Sequence, residues 1–130
     1  MMPTILFTLP IKPGQTAATR AFIQECTGPR CTAHDASEHE RGIQSESWYL
    51  QHTPAGDLFT CYAEGPDLQT GFGALIASRQ PFDLWFKHNL FVLTGIDLNA
   101  GPPPATMIAE TLAEYNGACS AGEPYSGENI

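Results

Sequence analysis

The chain is 130 residues long, enough for one domain with a real core and too short for two. Hydrophobic residues make up 42% and charged residues 15%, a globular composition, and the formal net charge is −8 from 14 acidic and 6 basic residues. A field of that sign repels polyanions and no basic cluster interrupts it, so nucleic acid and anionic membrane surfaces are excluded as expected partners.

The N-terminal MMPTILFTLPIKPG carries no basic leader and meets Pro10 after a short apolar run, which makes it a strand and not a signal peptide. No apolar run approaches bilayer-spanning length, so the cytoplasm is the expected compartment. Thr4 to Ile11 is the first strand, with Ile5, Phe7, Leu9 and Ile11 on one face and Thr4, Leu6 and Thr8 on the other. Pro13-Gly14 ends it. From Gln15 to Cys26, Ala17, Ala18, Ala21, Phe22 and Cys26 recur at helical spacing. Gly28-Pro29 should kink or interrupt that helix, because Pro29 has no amide donor and restricts the residue before it. A polar helical piece, Arg30 to Arg41, resumes until Gly42 caps it.

Gly42 to Pro66 is the clearest local pattern: two runs rich in β-branched and aromatic residues flank Thr53-Pro54-Ala55-Gly56-Asp57, a β-hairpin with a five-residue loop. Gln44, Glu46, Trp48, Leu50 and His52 share one face of the first hairpin strand, and Phe59, Cys61 and Ala63 one face of the second. Neither face of either strand is wholly polar, so both sides of the sheet should be covered. Asp67 to Ser78 is a short helix with Leu68, Phe72, Leu75 and Ile76 inward, weakened by Gly71 and Gly73. Pro81 opens another, with Phe82, Trp85, Phe86, Leu90 and Leu93 as its apolar stripe, and Gly95 ends it. Ile96-Asp97-Leu98 is expected as a short fourth strand. A stiff Gly101–Pro104 linker leads to an expected helix from Met107 to Tyr115. The single domain then spans residues 1–116, and 117–130 form a flexible tail. Cys26, Cys31, Cys61 and Cys119 show no CxxC or zinc-knuckle spacing and are expected as reduced structural thiols.

Strand, helix, strand, strand, helix, strand is the βαββαβ plan of the ferredoxin-like fold, α+β with an antiparallel sheet. Right-handed crossovers put the first and third strands at the centre and the helices on one face. The opposite face needs a cover that so short a chain cannot supply, and face-to-face dimerisation would supply it.

Four stretches carry a resemblance: LPIKPGQT (Leu9 to Thr16), HDASEHERGI (His34 to Ile43), WYLQHTPAGDL (Trp48 to Leu58), and PFDLWFK with TGIDLN (Pro81 to Asn99). On these the chain resembles the dimeric α+β-barrel superfamily, and within it a group of uncharacterised bacterial proteins. The resemblance implies a homodimer packed sheet against sheet, with a pocket between helices and sheet in each protomer. It implies no activity. The superfamily holds cofactor-free monooxygenases, haem-using enzymes, isomerases and stress-induced proteins, and fold analogy does not choose among them.

The densest group of potential ligands is His34-Asp35-Ala36-Ser37-Glu38-His39-Glu40, where helical spacing pairs His34 with Glu38 and Asp35 with His39. It is not HExxH and no second cluster completes a site, so a solvated helix end is the plainer interpretation and no metal is expected. His34, near the kink, is a better pocket candidate than His39. Glu46 shares a strand face with Trp48, and a carboxylate beside a large aromatic on a partly buried sheet has the setting for a raised pKa and general-base work. The plainer alternative pairs Glu46 with Arg41 or Lys12 near the strand's end. The candidate catalytic residues are Glu46 and, as its partner, His34. Trp48, Trp85 and Phe86 are candidate pocket wall, against a simple core role for an aromatic stripe. His88 falls off the stripe. The expected function is binding or transforming a small organic molecule without a tightly held cofactor; the alternative is a non-catalytic stress or interaction scaffold. A cavity of some hundreds of cubic ångströms beside Glu46 would separate the two.

Overall fold

A computed structural model describes residues 2–115 and 117. The chain runs β1 (Thr4–Pro10), α1 (Thr16–Thr27), α2 (Cys31–Glu40), β2 (Ser45–Thr53), β3 (Gly56–Glu64), α3 (Leu68–Ala77), α4 (Pro81–Thr94) and a 3₁₀ turn at Ala105–Met107. The three strands form an antiparallel sheet in the order β1-β3-β2. Period-2 alternation puts Phe7, Leu9, Phe59, Cys61 and Ala63 on the face where Phe22, Leu75, Phe86 and Leu90 of the helices bury them. The architecture is α+β, with the core between one sheet face and the helices.

The interruption at Gly28-Pro29 separates α1 from α2, and Gly42 closes α2 with φ +69, its amide donating to the His39 carbonyl at 3.1 Å. Pro81 stands at the start of α4. α2 is tied to α4 by Asp83, a buried carboxylate that accepts from the Ser37 and Ser78 hydroxyls. On the same helix Lys87 is 0% exposed, and its Nζ donates to the Ile76 and Ser78 carbonyls at 3.0 and 2.8 Å, so the end of α3 is capped from inside.

Three expectations are corrected. The hairpin loop is two residues, not five: Pro54 and Ala55 make the turn, and Thr53 already pairs with Gly56. Pro54 presets its own φ and Gly56 (φ +132) takes a conformation closed to other residues, so the ladder can start at once. Ile96–Leu98 is not a strand; the Asp97 side chain accepts from the Asn99 amide at 2.9 Å and turns the segment, leaving Leu98 as a buried plug. The free edge of β1 is met further on, where Ile108 bridges Phe7 in antiparallel sense and the Ala109 amide donates to the Leu6 carbonyl at 2.8 Å. The expected helix from Met107 to Tyr115 therefore does not form. Met107 packs on the core, but Ile108 and Leu112 are 37% and 86% exposed, so a helix would gain little burial, whereas the edge of β1 offers partners for backbone groups. The expected tail lies, apart from Gly117, outside the described residues.

The other sheet face carries Leu6, Thr8, Tyr49, Leu58, Thr60 and Tyr62. None of these belongs to the core, and Tyr49 is 55% exposed.

Candidate functional site

Two local features create the site. The break at Gly28-Pro29 redirects the chain, and the Ser37–Asp83 hydrogen bond and the His34–Phe82 ring contact at 5.7 Å hold α2 against α4. His34 and Glu38, one turn apart, then share a face. On β2, alternation turns Glu46 and Trp48 to the core side, opposite Ala63 and Cys61 of β3. Those small partners leave room for a carboxylate and an indole.

Glu46 and His34 come together there. His34 Nε2 is 3.0 Å from Glu38 Oε1 and 3.8 Å from Glu46 Oε1. The Trp48 indole N–H donates to Glu46 Oε1 at 2.9 Å, and the Cys61 thiol points at Glu46 Oε2 from 3.8 Å. Arg41 donates to Glu38 Oε1 at 2.9 Å, so the arginine weighed as a partner for Glu46 serves Glu38 instead. Lys12, the other such candidate, lies over the Phe91 ring at 5.3 Å. The Glu46 and His34 side chains are 11% and 18% exposed.

Each group is shifted by its neighbours. The hydrogen bond to Glu38, with the Glu46 carboxyl 3.8 Å away, pushes His34 up to about 9 against the opposing effect of burial. Burial, with the charge of Glu38 beside it, raises Glu46 above its ordinary value despite the nearby His34. Burial also acts upward on Glu38, but the His34 hydrogen bond, the neighbouring Glu46 carboxyl and the Arg41 charge prevail and hold it low. The cluster sets the cationic His34 and Arg41 beside Glu38 and Glu46, and burial favours the protonated form of Glu46 more than that of Glu38. Burial pushes the Cys26 thiol up to about 12 and Cys61 well up, so neither is a nucleophile.

A stability dependence follows. The folded-state pKa of His34 lies above its unfolded value of about 6.5, so its contribution is fully present below that pH and is lost as pH rises through about 9. Urea denaturation should show about 2–3 kcal/mol lost across that window, and His34→Gln should flatten the profile. Equal slopes in the two proteins would contradict the pairing.

A cavity of about 20 Å³, room for one water, touches Glu46, Arg41, Trp48, Phe86, Cys61 and Phe7. His34 reaches it only through Glu46. The hundreds of cubic ångströms that would mark a pocket are not beside Glu46, where side chains fill the space. They lie in a cleft of about 650 Å³ between β1, α3 and Pro102-Pro103, which shares Ile5, Phe7, Leu68 and Phe72 with the inner cavity. Of the three candidate wall residues, Trp48 and Phe86 line the inner cavity. Trp85 lines neither space: its ring packs against Phe22 and Phe82 and carries the Arg30 guanidinium at 4.0 Å. His88 is exposed. The i,i+4 pairing of His34 with Glu38 expected from the sequence is present, but neither Arg41 as the partner of Glu38 nor Phe72 as a wall residue was foreseen; the i,i+3 spacing of Glu38 and Arg41 was the available signal for the first.

His34, Glu38 and Glu46 each offer an atom within 4.8 Å of the others, a spacing that also suits a metal ion. Arg41 and Trp48 already occupy one oxygen of each carboxylate, and Arg41 supplies the positive charge a cation would bring. Proton sharing fits this donor set better.

No protein-family model matches the chain, and no curated protein matches it. Among solved structures it is similar to tetracenomycin F2 cyclase from Streptomyces glaucescens, described as a type-II polyketide cyclase, at 14% identity with a TM-score of 0.57. The match covers 89% of this chain and 99% of that one. At that identity the likeness is one of fold: the chain shares the α+β fold of that cyclase.

Proposed function

We propose that the protein binds a small organic molecule and moves a proton on it, with Glu46 as the acid/base and His34 as its partner. The observation that carries this is a carboxyl of raised pKa, 3.8 Å from a cationic imidazole, set in the wall of a mostly apolar cavity that Arg41 also lines. At a carbon next to a carbonyl, the Glu46 carboxylate takes the proton. The C–H electron pair moves into the C=O, giving an enolate, and reversal delivers the proton back. While Glu46 is ionised, the His34 cation compensates it, and Glu38 with Arg41 fixes the imidazole. This chemistry needs no tightly held cofactor. A polyketide cyclase on the same fold is an instance of small-molecule chemistry, which supports the proposal.

The protomer works as a homodimer in this proposal, with a second copy over the sheet face that carries Leu6, Tyr49, Leu58 and Tyr62, completing the ferredoxin-like barrel. Sedimentation at micromolar concentration should give a dimer, and a stable monomer would contradict it. The free thiols of Cys26, Cys31 and Cys61 support the cytoplasm as its compartment. Among the described residues no helix is long and apolar enough to cross a membrane.

The test uses 2-tetralone in D₂O, with α-deuteration followed by proton NMR. The protein should accelerate exchange over buffer, EDTA should leave the rate unchanged, and Glu46→Gln should lose about 10²–10⁴-fold while remaining folded and dimeric. The near-filled inner cavity favours the non-catalytic scaffold as the second possibility. Exchange no faster than buffer, or an unchanged rate in Glu46→Gln, would decide for the scaffold.

A further inference from the structure

We infer that the outer cleft receives the ligand, that Phe72 is the gate between cleft and inner cavity, and that the ligand is a neutral, mostly apolar molecule entering with a carbonyl or hydroxyl foremost. For what happens at the inner end this rests on the proposed proton chemistry; the binding site and its gate do not.

The cleft, at about 650 Å³, is of ligand size, and its wall is mostly proline, isoleucine, leucine and phenylalanine. Among its lining residues there is no Lys, Arg or His, so nothing there compensates an anionic ligand. Its one carboxylate, Asp67, is engaged as the N-cap of α3, accepting from the Thr70 amide at 3.2 Å. The cleft's polar side chains besides Asp67 are Thr4 and Gln69, whereas the ionisable Glu46 and Arg41 line only the inner cavity, where Arg41 is already paired with Glu38. A molecule that uses both spaces is therefore apolar along its body and polar at one end.

Phe72 stands on the shared wall. Its ring meets Phe7 edge-on at 5.9 Å and is only half-buried, so one side faces the cleft. The backbone beneath it is fixed. Gly71 rests so closely on Arg41 that a Cβ would sit 2.1 Å from the Arg41 carbonyl oxygen. The gate is thus the ring and not the helix, and rotation about its side-chain bonds joins the two spaces on the timescale of rotamer exchange.

The protein has two tryptophans, and Trp85→Phe leaves Trp48, which lines the inner cavity alone of the two spaces, as the only indole. In that background 2-tetralone should quench Trp48 fluorescence and 2-naphthoate, its anionic counterpart, should not. Stopped-flow quenching by 2-tetralone should be about tenfold faster in Phe72→Ala than in its parent, with Phe72→Leu between them. Equal quenching by naphthoate overturns the ligand class. An association rate indifferent to both Phe72 variants overturns the gate. Quenching without deuterium exchange leaves the binding site standing and removes the proton chemistry, whereas exchange with no effect of Phe72 keeps the chemistry and removes the gate.

Discussion

Trp48→Ala should destabilise the protein by about 3–5 kcal/mol. The indole stacks on Phe59 at 5.0 Å and meets Phe86 at 5.9 Å and Phe7 at 6.5 Å, so truncation leaves a hole bounded by β1, β3 and α4. It also removes the N–H that holds Glu46 Oε1, leaving a buried carboxyl with less support. Trp48→Phe keeps most of the packing and loses only the hydrogen bond, for a loss of about 1–2 kcal/mol. Urea midpoints of the two variants separate the contributions. A loss below about 1 kcal/mol for Trp48→Ala would place the indole on a surface and remove it from the cavity wall.

Gly71→Ala should destabilise by about 2–4 kcal/mol, although it replaces a poor helix former with the best one. The added methyl meets the Arg41 carbonyl oxygen at 2.1 Å and its carbon at 3.1 Å. These are backbone atoms, so no rotamer relieves the contact and α3 has to move off the end of α2. That movement carries Leu68, Phe72 and Leu75 with it and disturbs Arg41, which holds Glu38. Gly73→Ala is the internal control. Nothing lies within 4 Å of its Cβ position, so propensity alone acts and stability should rise by up to about 1 kcal/mol. The same sign for both substitutions would contradict the close approach.

Much of the fold is legible because one-sided burial writes itself into the sequence as period. Ile5-Phe7-Leu9 and Phe59-Cys61-Ala63 alternate because a single face meets the helices, and the helix break at Gly28-Pro29 follows from the chemistry of proline. The illegible parts depend on distant partners. Ile96-Asp97-Leu98 has strand composition, but Leu98 is buried from a turn, and the edge of β1 is met instead by Ile108 and Ala109. Met107 to Tyr115 has helical spacing, but Leu112 stays 86% exposed and a helix there would bury little.

For the site, the strand face of Glu46 and Trp48 could be read directly, and the kink allowed His34 to approach them. Which carboxylate stands closest to His34, and where Arg41 points, depend on how α2 lies over β2. That is fixed by Ser37 and Asp83, 46 residues apart in the chain. Phe72 was legible as an apolar helix residue; its place between two spaces was not, because that requires the packing of α3 against β1.

The most direct measurement is a ¹⁵N NMR titration of the His34 imidazole in the wild type and in Glu46→Gln and Glu38→Gln. Protonation of His34 should persist to about pH 9 in the wild type, and each substitution should move it downward, Glu38→Gln the further. An imidazole that titrates near its ordinary value of about 6.5 in all three proteins would contradict the coupled His34–Glu38–Glu46 cluster on which the proton chemistry depends.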